Sequence, residues 1–419
     1  MARHTATASR SFLLVAGLLL IAATLRGPVT GVAPVLDLLR SHLGLSPTDA
    51  GLLTTLPLVA FAAISPFAAL FARKYGIERC LFGALLLIAA GVVVRSTGTV
   101  VGLYLGTAIV GTGIALGNVL LPGLIKRDFP SRVPVITSVC AVTMGVAAAM
   151  VSMSVVPLAD VFGWRIALGM VIVFPLAAIA VWIFAVGGRT VPLKGTPPKG
   201  TPLKGIPVTE TPINGPAAPV HGGGVWRSMI AWQVTLFMGT NSTLYYIMVA
   251  WLPTILTNAG FTPAAAGSIH GVMQLSCAVP GLVLSLVVGR LKDQRLIAAG
   301  TGFMLGVSLL GLLFAPAWAL LWSALFGFGS GAAIILALMF MSMRARDVHQ
   351  SAALSGMAQC IGYLLAACGP TLAGKAHDIT GNWHIPLAIG VVLSVLMALF
   401  GSLAGRSRHI GTSLAASGR

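Results

Sequence analysis

The sequence predicts an all-α membrane protein of twelve transmembrane helices, arranged as two pseudo-symmetric six-helix bundles. Three observations carry this. Apolar runs of bilayer-spanning length recur twelve times, lysine and arginine fall almost wholly on one side of them, and the second half repeats landmarks of the first.

The runs cover 12–36, 48–72, 80–97, 100–124, 134–159 and 165–187, then 228–256, 263–289, 296–314, 317–343, 351–374 and 383–404; they are numbered here as spans 1 to 12. Each has at least the roughly 17 residues a helix needs to cross the hydrocarbon layer. The 419 residues are 57% hydrophobic and 8% charged, where a soluble domain is about 25% charged. The run behind basic Met1–Arg10 is too long for a signal-peptide core and lacks a clear small-residue cleavage site, so it reads as span 1.

Of the 26 Lys and Arg, 21 sit at the termini and in the even-to-odd loops, while Arg40, Arg95, Arg165 and Lys375 sit in the opposite loops and Arg26 sits inside span 1. The positive-inside rule then puts both termini in the cytoplasm of a bacterial inner membrane. The net charge of +17 is a topology signal, and nucleic acid is not an expected partner.

A Pro- and Gly-rich stretch separates the halves and carries a short repeat, Thr196-Pro197-Pro198-Lys199-Gly200 then Thr201-Pro202-Leu203-Lys204-Gly205. Such a segment cannot bury a core and reads as a flexible cytoplasmic linker. The expected units are a bundle at 1–187, the linker at 188–226 and a second bundle at 227–419. Ser46-Pro47-Thr48-Asp49-Ala50-Gly51 opens span 2, and Thr262-Pro263-Ala264-Ala265-Ala266-Gly267 opens span 8. Lys126-Arg127-Asp128 precedes span 5 as Arg344-Ala345-Arg346-Asp347 precedes span 11, and Trp164-Arg165 begins span 6 as Trp383-His384 begins span 12. Tandem six-span halves resemble the major facilitator architecture, whose substrate site lies at the midplane between halves.

Arg26 lies near the middle of span 1, and no other Asp, Glu, Lys or Arg reads as deep in a span. A charge at that depth costs about 2.5–3.5 kcal/mol on insertion scales and is kept where it faces a cavity, a partner or a substrate. No acidic residue shares its depth, so Arg26 is expected to be the counter-ion of an anionic or strongly polar solute. The bland alternative is structural glue, with Arg26 bonded to carbonyls or amides.

Further candidate substrate contacts are Asn118 in span 4, Tyr245 in span 7, His270 and Gln274 on one face of span 8, and Gln359 and Tyr363 on one face of span 11. Polar side chains in spans also serve simply to hold helices together. Tyr245 precedes Pro253 by eight residues, as Arg26 precedes Pro34, which sets Tyr245 opposite Arg26 across the pseudo-two-fold. His270 is the histidine deep in a span and the candidate carrier of a coupled proton, because imidazole titrates near physiological pH.

Two cytoplasmic loops, 71–76 and 289–293, stand where facilitators carry their gating motif, and Arg73, Lys74, Arg290 and Asp293 are the candidate gating residues. The Asp-Arg core of that motif is missing from the first copy. The sequence holds no metal-ligand cluster, nucleophile elbow or paired carboxylates, so no enzyme, metal or cofactor is expected. Cys80, Cys140, Cys277, Cys360 and Cys368 lie in or beside apolar runs without CxxC spacing and read as small packing thiols.

Four blocks carry a family resemblance: Leu25-Arg26-Gly27-Pro28; the stretch 118–130 from Asn118 through Lys126-Arg127-Asp128-Phe129-Pro130; Trp251-Leu252-Pro253; and 354–370 from Leu354 through Gln359, Tyr363 and Gly369-Pro370. Across nearly the whole chain outside the linker, the sequence resembles the cyanate-porter family of the major facilitator superfamily, which also includes 2-nitroimidazole transporters. The resemblance implies secondary transport of a small anionic or polar, cyanate-like solute by rocker-switch alternating access. Efflux of neutral nitroimidazole-like heteroaromatics is the alternative. The expected partners are the bilayer, a small-molecule substrate and a coupled proton, and the expected state is a monomer.

Overall fold

The computed structural model describes residues 2–129, 132–186, 223–281, 293–346, 348–406 and 410. The described residues are helices joined by short turns, with no strand among them. Of the expected linker only 223–226 is described, as the helical turn Gly223–Trp226, whose Trp226 carbonyl accepts from the Trp232 indole at 2.9 Å.

Ten described helices are long and apolar enough to cross a membrane. The other two spans differ for local reasons. Span 7 forms Met229–Asn258 but carries the polar run Thr240-Asn241-Ser242-Thr243 in its interior. Span 8 is described as Pro263–Ala278, and the rest of its run lies largely outside the described residues. The twelve spans form two sets of six.

Helix starts follow the sequence landmarks. Ser46 and Asp49 form a reciprocal capping box at the start of Pro47–Tyr75, and the Thr262 hydroxyl accepts from the Ala265 N–H at 3.2 Å at the start of span 8. Both are followed by Pro, whose missing N–H costs nothing in a first helical turn.

The halves pack alike. Span 1 lies against spans 5 and 6 as span 7 lies against spans 11 and 12; span 4 receives spans 2 and 3 as span 10 receives spans 8 and 9. Across the halves, span 2 meets span 11 and span 5 meets span 8. Small residues permit close approach: a Cβ at Gly91 in span 3 would stand 2.8 Å from the Gly106 carbonyl oxygen in span 4.

The side bearing the odd-to-even loops, here called distal, is closed. Val32, Leu36, Leu53, Val155 and Trp164 of the first half share one buried cluster with Trp251, Leu252, Ile255 and Ala266 of the second. The Thr48 N–H and hydroxyl both donate to Asp378 across the halves, at 3.1 and 2.7 Å. Thr55 and Thr371 join hydroxyls at 3.0 Å, and Thr257 donates to Asp37 at 3.4 Å.

One sequence expectation is corrected. Arg95, assigned to a loop, is the last residue of the helix Ile77–Arg95 and is fully buried. Its guanidinium donates to the carbonyls of Pro28 at 2.5 Å and Leu168 at 3.2 Å, so Arg26 is not the sole cation inside the bundle. A long side chain at a helix end can fold inward onto free carbonyls as readily as it reaches outward to water.

Candidate substrate site

Span 1 is not one helix. Ala2–Thr24 stops, Gly27–Thr30 restarts, and a 3₁₀ turn at Ala33–Val35 leads into Leu36–Leu43. Pro28 and Pro34 each lack an N–H, which breaks the ladder in mid-membrane. The span is therefore interrupted at Arg26 itself, which has φ −126° and ψ −42° and forms the N-cap of the second piece.

The break turns Arg26 toward the other half. Its Nη2 donates to the Tyr245 hydroxyl and, at 3.6 Å, to the Cys277 sulfur, and its Cζ stands 5.0 Å from the Tyr245 ring centroid. No Asp or Glu pairs with it among the described residues. Nε and Nη1 have no protein partner there, yet are not sealed as the orphaned Nε of Arg95 is. The cation thus sits in a neutral cage with donors to spare.

From Tyr245 the hydrogen bonds run on. The Tyr245 hydroxyl donates to Gln274 Oε1 at 2.7 Å, Gln274 Nε2 meets His270 Nε2 at 3.2 Å, and His270 Nδ1 meets Ser152 Oγ at 2.5 Å. The Tyr245 hydroxyl accepts from Arg26 and donates to Gln274 Oε1. The Gln274 amide must then donate to His270, which leaves His270 neutral, with its proton on Nδ1 and directed at Ser152. His270 and Gln274 are fully buried. The chain begins in span 1, crosses to spans 7 and 8, and returns to the first half at span 5.

Further aromatic rings lie in the neighbourhood of the guanidinium. Tyr246 meets Tyr245 edge to face at 5.1 Å between centroids, and Tyr363 meets Phe61 likewise at 5.9 Å. Tyr246 and Tyr363 lie within electrostatic range of Arg26 and of each other, and neither hydroxyl has a hydrogen-bond partner among the described residues.

Of the residues singled out from sequence, Arg26, Tyr245, Gln274, His270 and Tyr363 come together. Gln359 donates instead to Ser355 at 2.9 Å, and Asn118 is exposed with no hydrogen bond to the group. Among the gating candidates, the Lys74 ammonium lies 5.1 Å from the Tyr75 ring centroid and Asp293 pairs with Arg295 at 3.3 Å. The Arg73 side chain and Arg290 lie outside the described residues. Sequence reasoning missed Ser152, Tyr246 and Phe61, and read Cys277 as a packing thiol although it faces Arg26. Cys277 is three residues beyond Gln274, one helical turn along the same face, and that spacing was the available signal.

Comparison with known proteins agrees with this architecture. Residues 14–367 match the Major Facilitator Superfamily. The chain is 52% identical over 398 residues to the 2-nitroimidazole transporter of Escherichia coli (strain K12), covering 95% of this chain and 96% of that protein. It is 24% identical over 390 residues to the cyanate transport protein CynX of the same organism, covering 90% and 95% respectively. Among solved structures, that of a D-xylose-proton symporter superposes with a TM-score of 0.72 at 13% identity, covering 93% of this chain and 97% of that one. The relatives and the fold are those of secondary transporters, not of enzymes. This chain belongs to the Major Facilitator Superfamily.

Proposed function

We propose that the chain carries a small planar heteroaromatic solute of the nitroimidazole type, with Arg26 receiving its nitro group or other electron-rich oxygens. The observation that carries this reading is the uncompensated Arg26 cation, caged by neutral groups, in contact with Tyr245 and within electrostatic range of Tyr246 and Tyr363. A guanidinium donates to paired oxygens, and aromatic walls hold a flat ring. A triatomic anion such as cyanate would use the cation and leave the rings idle. The similarity to a 2-nitroimidazole transporter over almost the full length supports the same choice.

In this proposal both termini face the cytoplasm, so the closed distal side is periplasmic. Reopening breaks the bonds of Thr48 to Asp378 and of Thr55 to Thr371 while the two halves rock. His270 serves as a neutral link rather than a proton carrier, because both ring nitrogens are engaged and protonating Nε2 would set two N–H groups against each other.

The test is counterflow of labelled 2-nitroimidazole into proteoliposomes, with unlabelled 2-nitroimidazole, imidazole and cyanate as competitors. Competition by 2-nitroimidazole far above that by imidazole or cyanate supports the proposal. Competition by cyanate alone would replace it with the small-anion reading.

A further inference from the structure

We infer that Arg95 is a positioning residue that holds the break in span 1 and so fixes where Arg26 points. In an unbroken α-helix the Pro28 carbonyl would accept from the Val32 N–H. Here the Val32 N–H turns to the Val29 carbonyl at 3.3 Å, which leaves the Pro28 carbonyl without a helical partner. A bare carbonyl inside the bundle is costly unless another donor reaches it. Arg95 Nη1 is that donor, at 2.5 Å.

The other arm reaches span 6. Arg95 Nη2 donates at 3.2 Å to the Leu168 carbonyl, where Trp164–Gly169 tightens into the 3₁₀ turn Met170–Ile172. A tightened turn pairs i with i+3 and frees a carbonyl of the preceding turn. One buried guanidinium therefore ties the break in span 1, which begins at Arg26, to the 3₁₀ turn of span 6. Arg26 is the N-cap of the short helix Gly27–Thr30 that contains Pro28, so the two residues share a rigid piece of backbone. Lysine could not take over, because its single ammonium cannot span both carbonyls as the planar fork does.

The consequence for transport rests on reading Arg26 as a substrate ligand; the positional claim does not, and the test separates them. It uses the full chain with Cys80, Cys140, Cys360 and Cys368 changed to Ser. Cys277, whose sulfur is 3.6 Å from Arg26 Nη2, is then the sole thiol. The rate at which a maleimide labels Cys277 reports the position of the guanidinium, and Arg26→Ala sets the scale. Arg95→Lys, with Arg95→Gln as a second variant, is expected to shift that rate by about threefold or more in the direction of Arg26→Ala, and to add nothing when Arg26 is already absent. An unchanged rate in a variant with a parental melting temperature overturns the inference, as does an equal effect with and without Arg26. If neither variant folds, Pro28→Ala restores the missing N–H and favours an unbroken helix. The same shift is then expected, and an unchanged rate again overturns the inference. Affinity for 2-nitroimidazole is read alongside. A shifted labelling rate in a protein that binds no 2-nitroimidazole supports the positioning role and removes the substrate reading alone.

Discussion

Arg26 and Tyr245 stand 219 residues apart, the offset that separates Trp164 from Trp383, and their side chains meet across the two halves. The pseudo-two-fold that relates the halves maps one position onto the other. Equivalent residues near such an axis share a depth and face each other, so a cation from one half finds a phenol from the other. The phenol then passes the contact into span 8 and on to span 5.

Tyr245→Phe keeps the ring and removes the hydroxyl. Gln274 Oε1 then loses its donor in a fully buried site, which is expected to cost about 1–3 kcal/mol of stability. Affinity for 2-nitroimidazole should fall about tenfold as Arg26 loses its anchor, an expectation of the size of one hydrogen bond to a charged group. Thermal melting and ligand titration check both. A parental melting temperature would mean that the chain of bonds does not contribute to stability.

His270→Gln tests the neutral link. It replaces the ring that links Gln274 to Ser152 with an amide placed for one of them, so the other buried group loses its partner, and a loss of about 1–3 kcal/mol of stability is expected. The pH profile of transport should keep its shape, because no protonation of His270 enters the account. A profile that flattens in His270→Gln would restore the proton-carrier role read from the sequence.

Two contacts of different kinds lie across the distal closure. Asp378 caps the free N–H of Thr48 near the start of span 2, and a charged cap of this sort is worth about 0.5–2 kcal/mol. Gly51 lets span 11 approach so closely that a Cβ there would meet Thr371 Cα at 2.8 Å and the Pro370 carbonyl oxygen at 2.9 Å. Asp378→Ala and Gly51→Ala should both shift the population toward the distal-open state. Spin labels at exposed Ser41 and Lys375, in a chain whose native cysteines are changed to Ser, should then report longer distances. Unchanged distances in both variants would show that the latch is not what holds this side shut.

Tyr363→Ala probes the ring wall. Loss of an aromatic contact, about 0.5–1.5 kcal/mol, should weaken 2-nitroimidazole binding roughly two- to tenfold and leave small anions unaffected. Equal losses for 2-nitroimidazole and cyanate in parallel titrations would place the ring in a structural role.

Much of this was readable from sequence, and the exceptions share a cause. The spans, the repeat and the facing of Arg26 and Tyr245 follow from periodicity and from matched prolines, which are local signals. Ser152, Tyr246 and Phe61 are ordinary residues for a membrane helix, and only the packing of spans 2, 5, 7, 8 and 11 gives them a role. Arg95 misled because its Cα lies at a helix end while its side chain runs inward. Asn118 and Gln359 stand apart from the group because a polar residue on a plausible face can reach either the midplane or a neighbour such as Ser355.

The most direct test is ligand-induced thermal stabilisation of the purified protein, parent beside Arg26→Ala, with 2-nitroimidazole, imidazole, nitrate and cyanate. At about 100 times its dissociation constant a ligand stabilises by roughly 2.7 kcal/mol. That stabilisation is expected from 2-nitroimidazole in the parent, and its loss at the same concentration in Arg26→Ala. Full stabilisation of Arg26→Ala by 2-nitroimidazole would contradict that expectation and leave Arg26 as structural glue.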